Sequence, residues 1–205
     1  MKLNLGCGSQ VVDGWVNVDY SIGARAMKIP FFSTLNKRLK LFNLDWNEKI
    51  YLHDLTKRLP WLDSSVDVIY SSHTLEHFTK DEGRSFLAEC HRVLRRDGII
   101  RIVVPDLRHY VDKYIKGHIR ADDIVKRLGV LYGSSDNRIK KTLSPFFQFP
   151  HKCMYDKERL VEIVDEVGFN ATSKQAFCSG IEDIQVIEVK ERTKTAVIVE
   201  GRKRL

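Results

Sequence analysis

Apolar and polar residues along this chain keep two rhythms, a period of two in short runs and a period near 3.6 in longer ones. KLNL at 2–5 is a short apolar-polar run that ends at once in Gly6-Cys7-Gly8, which reads as a strand entering a glycine turn. WVNVDY at 15–20 sets Trp15 and Asn17 against Val16 and Val18, the alternation of a second strand. KIYLHDL (49–55) and VDVIYSS (66–72) supply a third and a fourth. GIIRIVVP (98–105) is the fifth, apolar almost throughout, as a strand buried on both faces must be.

The longer rhythm predicts helices between and after these strands. STLNKRLKLF offers Leu35, Leu39 and Phe42 at helical spacing, with Ser33 or Thr34 as cap. Thr79 and Glu82 have the T-x-x-E spacing of a capping box, followed by a stripe of Phe86, Leu87, Cys90, Val93 and Leu94. Pro105-Asp106 opens another helix in which Leu107, Tyr110, Val111, Tyr114 and Ile115 share a face. A helix over 122–132 turns Ile124, Leu128 and Leu131 inward, and one from Asp156 is stopped at Gly168. IQVIEVKER and KTAVIVEGR close the chain as two strands, antiparallel across a short polar turn.

Strands alternating with helices argue an α/β architecture, with a mainly parallel sheet covered on both faces. The expected fold is a doubly wound, seven-stranded sheet with an antiparallel C-terminal hairpin and a helical insertion after the fifth strand. One connection strains it. About seven residues separate Gly8 from the second strand, too few for a crossover helix; one helical turn in SQVVDG is the most that fits.

A length of 205 residues fits a single domain, 1–205, and 43% hydrophobic with 30% charged residues is ordinary for a globular chain. No run approaches the eighteen apolar residues of a membrane span, and MKLNLGCGSQ lacks a secretion signal, so a cytoplasmic protein is expected. The four cysteines are scattered without a C-x-x-C pair, which reads as free thiols. Charge changes the picture more. Residues 107–152 hold ten Lys/Arg and four Asp/Glu, nearly the whole net charge of +7. Such a segment could attract an anionic substrate, a phospholipid surface or nucleic acid, or be only a solvated face.

In an open parallel sheet, ligands bind beyond the carboxyl ends of the strands. Gly6-Cys7-Gly8, Asp19, Asp54 and Ser72-His73 fall at four such ends. Glycines allow close backbone approach, a carboxylate at Asp19 can accept both ribose hydroxyls, and Asp54 can accept from an adenine amino group. Val11 stands where a G-x-G-x-x-G fingerprint needs a small residue, which counts against a nicotinamide oxidoreductase.

LNLGCG…WVNVD, HDLTKRLPWLDSSVDVIYSSHTLEHF and ECHRVLRRDGIIRIVVPDL resemble the successive motifs of class I S-adenosylmethionine-dependent methyltransferases, in the broad group with LEH after the fourth strand. The resemblance covers about 2–107, with a fainter echo in HKCMYD…VGF at 151–169. It implies a Rossmann-like fold and S-adenosylmethionine as cofactor. By the resemblance, Gly6, Cys7 and Gly8 would line its methionine part, Asp19 the ribose, and Asp54 with Leu55 the adenine. Ser72 and His73 would close the pocket near the sulfonium, and 107–152 would be a substrate lid.

His73-Thr74-Leu75-Glu76-His77 also fits the H-x-x-E-H signature of a zinc hydrolase, which makes that the alternative activity. The signature requires both histidines on one helical face. Here strand 66–72 runs into His73 and the next helix begins at Thr79, so the pentad is expected in a loop or single turn and no metal is assigned. His77 and Phe78 are expected to pack beneath that loop. For methyl transfer to a hydroxyl, His73, Asp106 and His151 are the candidate bases; Asp106 could equally cap its helix, and Tyr155 either binds substrate or packs. The acceptor is expected to be an anionic small molecule or saccharide. Nucleic acid is disfavoured because Tyr110, Tyr114 and Tyr132 fall on stripes expected to be buried. A non-catalytic binding module of the same fold is the remaining alternative.

Overall fold

A computed structural model describes residues 1–26, 28–29, 49–130 and 150–204. Seven strands form one sheet: β1 (Lys2–Leu5), β2 (Val16–Asp19), β3 (Tyr51–Leu52), β4 (Val66–Ser72), β5 (Leu94–Pro105), β6 (Phe169–Ser173) and β7 (Ala196–Lys203). Their order is β3-β2-β1-β4-β5-β7-β6. The first five run parallel, and β7 is antiparallel to both β5 and β6. The order reverses between β1 and β4, which puts a crevice at their carboxyl ends.

Among the described residues the helices are α1 (Ile22–Ala26), α2 (Lys80–Val93), α3 (Leu107–Ile115), α4 (Ala121–Arg127), α5 (Lys157–Glu166) and α6 (Lys190–Thr193). The capping box at α2 forms as expected: Glu82 N–H donates to the Thr79 hydroxyl, and Thr79 N–H donates to the Glu82 carboxylate. Phe86, Leu87, Cys90 and Val93 are buried against the sheet. Each such burial contributes about 1.5–3 kcal/mol. Asp156 caps α5 by accepting from Arg159 N–H, and Gly168 at φ +112° turns the chain out of it.

Several expectations change. No helical turn forms between β1 and β2; residues 6–15 return as turns alone. Ten residues can reach back along a four-residue strand, at about 3.3 Å each. A buried amide network holds this return in place of a helix. Asn17 accepts from Val12 N–H and from the Asn4 amide, and donates to the Val12 and Trp15 carbonyls.

IQVIEVKER is not a strand. It forms a 3-10 turn at Ile184–Val186 and then α6, and the strand beside β7 is Phe169–Ser173. The apolar residues of 184–189 fit either period. Side-chain pairing decides, because Glu188 must reach Arg101 in the middle of β5. All five N–H donors of Arg101, which is completely buried, are used: two on Glu188, one on Glu200, and two on the carbonyls of Gln175 and Cys178. Segment 174–195 thereby completes the cover of one sheet face, with Ile181, Ile184 and Ile187 packed with Tyr70, Val103 and, from the short first crossover, Val12.

The arm after β5 also departs from its expected packing. α3 and α4 bury no residue, Ile115 is 74% exposed and Tyr114 is 44% exposed, so their apolar stripe is not a core face. The end of the expected 122–132 helix, the expected helix at 33–42, Lys140, Lys141, Phe146, Phe147 and Phe149 lie outside the described residues.

Arg101→Met should lower unfolding free energy by about 3–5 kcal/mol, because it strands two buried carboxylates. Denaturant melts would measure the loss, and limited proteolysis should cut within 174–195 first.

Candidate functional site

Four neighbouring strand ends carry the residues singled out from the sequence. At the end of β1, Gly6 and Cys7 both donate their N–H to the Val18 carbonyl, and Gly6 and Gly8 take φ values of +75° and +57°. Only glycine adopts these at no steric cost. Their surroundings differ. A Cβ at Gly6 would fall 2.0 Å from the Thr74 hydroxyl, whereas one at Gly8 would meet only the Arg192 Nη2, 3.9 Å away. Gly6 is therefore a packing glycine against the chain after β4, and Gly8 faces open space beneath a guanidinium.

Asp19, at the end of β2, folds this turn. Its Oδ2 accepts from Gly8 N–H at 2.9 Å and its Oδ1 from Ser21 N–H at 2.7 Å. His53 N–H donates to the Asp19 carbonyl and so ties the third strand end to the second. Asp54 follows directly, its Oδ1 accepting from the Thr56 amide and hydroxyl, and Leu55 is buried in the main core. Burial, reinforced by the Asp19 charge, pushes the Cys7 thiol up to about 12.

Beyond β4, Ser72 is buried and its hydroxyl oxygen has no hydrogen-bond partner. His73 takes a left-handed φ of +53°, held by its N–H on the Val103 carbonyl and by Nε2 on the Arg192 carbonyl at 2.9 Å. Its Nδ1 lies 3.3 Å from Glu76 Oε1. Burial opposes protonation of His73, but the Glu76 carboxylate and the Arg192 carbonyl outweigh it, and its pKa is raised. Both ring nitrogens thus face oxygens, an arrangement that suits a cation better than a base.

The pentad forms a 3-10 turn at Leu75–His77, and Phe78 packs into the core. Chain 150–153 lies against that turn, with Lys152 and Cys153 donating to the Glu76 carbonyl at 2.8 and 3.1 Å. His151 is carried with it. Its Nδ1 donates to the Leu128 carbonyl at 2.7 Å, its Nε2 lies 4.0 Å from Glu76 Oε1, and its ring sits edge-on to His77 at 5.1 Å. Burial depresses the His151 pKa. Asp106 stands apart from this cluster: it caps α3 by accepting from Arg108 N–H, and its backbone pairs with Tyr155. Tyr155 is a core side chain.

Gly6, Gly8, Asp19, Ser72 and His73 are thus brought to one margin, with Asp54 adjoining. Two residues there escaped the sequence reading. Glu76 lay within the HTLEH pentad, but nothing in that pattern shows that it is buried. Arg192 lay in a segment that reads as a strand, and only the helical turn of α6 brings it over Gly8.

The open α/β sheet with a glycine turn and an acidic residue at successive strand ends defines a nucleotide-cofactor-binding protein. Residues 3–102, just under half of the chain, match the family described as a methyltransferase domain, of the S-adenosylmethionine-dependent kind. No curated protein matches it. Among solved structures, it is similar to an S-adenosylmethionine-dependent methyltransferase from Methanosarcina mazei, at 17% identity and TM-score 0.54, covering 100% of this chain and 92% of that one. The YcgJ protein of Bacillus subtilis is similar at 16% identity and TM-score 0.53, with the same coverage. A Thermotoga maritima methyltransferase, described as a possible histamine N-methyltransferase, gives 16% and 0.51, over 99% of this chain and 82% of that one.

Gly6→Ala should weaken S-adenosylmethionine binding at least about tenfold, a loss of roughly 1.4 kcal/mol. Adding Thr74→Ala should recover part of the affinity by removing the clash. Calorimetric titration of the single and double variants checks both.

Proposed function

We propose that this methyltransferase acts on an anionic small-molecule or saccharide-type acceptor, held between the strand-end margin and the basic 107–152 arm. One observation carries the reading. The arm reaches the margin through His151, which packs under Gly129 after α4 and against Glu76 after β4. Lys113, Lys116, Arg120, Lys126 and Arg127 stand exposed along the same arm.

The margin fits the cofactor. Gly8 has room for a ligand, Ser72 keeps an unused buried hydroxyl, and Asp19 is held with both oxygens oriented by backbone donors. In this reading Asp19 would take the ribose hydroxyls, Asp54 and Leu55 the adenine, and Gly6, Cys7 and Gly8 the methionine part. The Arg192 guanidinium would pair with the carboxylate. Bound there, S-adenosylmethionine supplies a methyl group already activated by the sulfonium charge.

What remains for the chain is alignment, which can contribute roughly 7–11 kcal/mol. His73 and Ser72 close the margin against water, and the arm's cations fix the acceptor's charge. Of the three candidate bases, His73 has both nitrogens engaged and Asp106 caps a helix. His151, at Nε2, is the nitrogen left to take up an acceptor proton, beside Glu76.

A nucleic-acid acceptor is a second reading, favoured by one observation: Tyr114 is half exposed between Lys113 and Lys116, where a base could stack.

Asp19→Ala should raise the cofactor dissociation constant at least about tenfold. Lys113→Glu with Lys116→Glu should leave that constant unchanged and reduce tritiated methyl incorporation into the anionic fraction of a metabolite extract. Labelling confined to neutral compounds would contradict the anionic acceptor. Labelling of RNA that fades steeply with salt would favour the second reading.

A further inference from the structure

We propose that Glu76, His77 and His151 bind one divalent transition-metal ion. This goes beyond the methyl-transfer reading. The cluster is separate from the glycine turn and from Asp19, and it would hold a metal whatever the acceptor is; with metal bound, His151 Nε2 is a ligand and no longer the proton acceptor of the methyl-transfer reading.

One carboxylate oxygen and two ring nitrogens, one from each residue, lie within 4.8 Å of one another. Bonds of about 2.0–2.2 Å in a tetrahedral site put ligand atoms roughly 3.4 Å apart, so modest side-chain rotations close the set. The turn at Leu75–His77 supplies two of the ligands side by side. The third is delivered by backbone bonds from Lys152 and Cys153 to the Glu76 carbonyl. The peptidase pairing of His73 with His77 is not the arrangement that forms. His73 has its Nε2 on the Arg192 carbonyl and presents only Nδ1 to Glu76.

Glu76 is the independent observation. It is wholly buried, and neither carboxylate oxygen has a hydrogen bond. A buried carboxylate without such bonds costs several kcal/mol unless a cation compensates it. His73 Nδ1, 3.3 Å from Oε1, offsets part of the charge, and Oε2 accepts no hydrogen bond.

His151 sharpens the case. Its Nδ1–H is committed to the Leu128 carbonyl at 2.7 Å, so in the neutral ring the lone pair is on Nε2 and is turned towards Glu76. A lone pair facing a carboxylate is a repulsive contact that a cation between them relieves. A ligating imidazole whose other nitrogen donates to a backbone carbonyl is also the usual way its tautomer is fixed. His77 Nδ1 lies 3.4 Å from the Pro150 carbonyl.

Two imidazoles and one carboxylate suit zinc, cobalt, iron or manganese better than magnesium or calcium, which prefer all-oxygen sites. Three protein ligands leave a coordination position for water or for an acceptor oxygen.

The full chain, stripped with a chelator, should be titrated with Co(II) by visible absorption and with Zn(II) by calorimetry, with S-adenosylmethionine binding measured in parallel. The expected result is one ion per chain and a melting temperature raised by metal. Glu76→Gln and His151→Ala should each weaken uptake at least about tenfold, while His118→Ala, outside the cluster, should not. In chelator, Glu76→Gln should melt no lower than wild type, because it removes a buried charge, yet show no metal-dependent rise. A wild type that binds cofactor but takes up no stoichiometric metal would overturn the site and leave Glu76 as a positioning residue for His73. Uptake unchanged in both variants would also overturn it. Normal metal uptake without cofactor binding would leave the site standing and sink the proposed cofactor margin instead.

Discussion

A guanidinium buried in the centre of β5 is the constraint on which the rest of this structure rests. Arg101 is enclosed on every side, so each of its five N–H groups must find an acceptor inside the protein. Two carboxylates and two carbonyls meet that demand, and all but Glu200 belong to segment 175–188. The demand therefore fixes where an otherwise irregular stretch of chain must lie. That stretch packs beside Val12 and Trp15 of the helix-free return from β1 to β2 and covers one sheet face with them. It also ends in α6, whose Arg192 carbonyl orients His73 and whose guanidinium lies over Gly8.

The strand-end margin is consequently supported from two sides. From beneath, the Asn4–Asn17 amide network shapes the short return, and Asp19 holds the glycine turn through Gly8. From above, His73 is kept in a left-handed conformation that costs a non-glycine residue roughly 1–2 kcal/mol, offset by its bonds to Val103 and Arg192. Backbone held this way cannot drift when a ligand arrives. Such preorganisation is what alignment for in-line transfer requires.

Much of this was legible in the residues because local chemistry dictated it. The Thr79–Glu82 cap, the stripe behind it, the apolar β4 and β5, and the acidic and glycine residues at strand ends follow from period, capping and turn rules alone. What was not legible depended on distant partners. FNATS is an edge strand with one buried residue and no alternation, so it is defined by its pairing with β7 rather than by its side chains. IQVIEVKER had strand-like spacing, and only Arg101, more than eighty residues away, bends it into turns. The stripe on α3 predicted burial that the structure does not provide, because amphipathic spacing shows that a face is apolar and not what covers it. Glu76 is the sharpest case: a glutamate in a polar-looking pentad is one of the most deeply buried side chains in the protein.

In the proposed reading, chain segments from β1, β2, β3, β4 and α6 form one cofactor-binding margin. Hydrogen exchange with and without S-adenosylmethionine tests it most directly. Exchange should slow together at 6–9, 19–21, 53–56, 72–77 and 190–193. Protection confined to the separate groove of about 550 Å³ lined by Val11–Asn17 and Lys49–Leu52, or absent from the 190–193 segment, would contradict it.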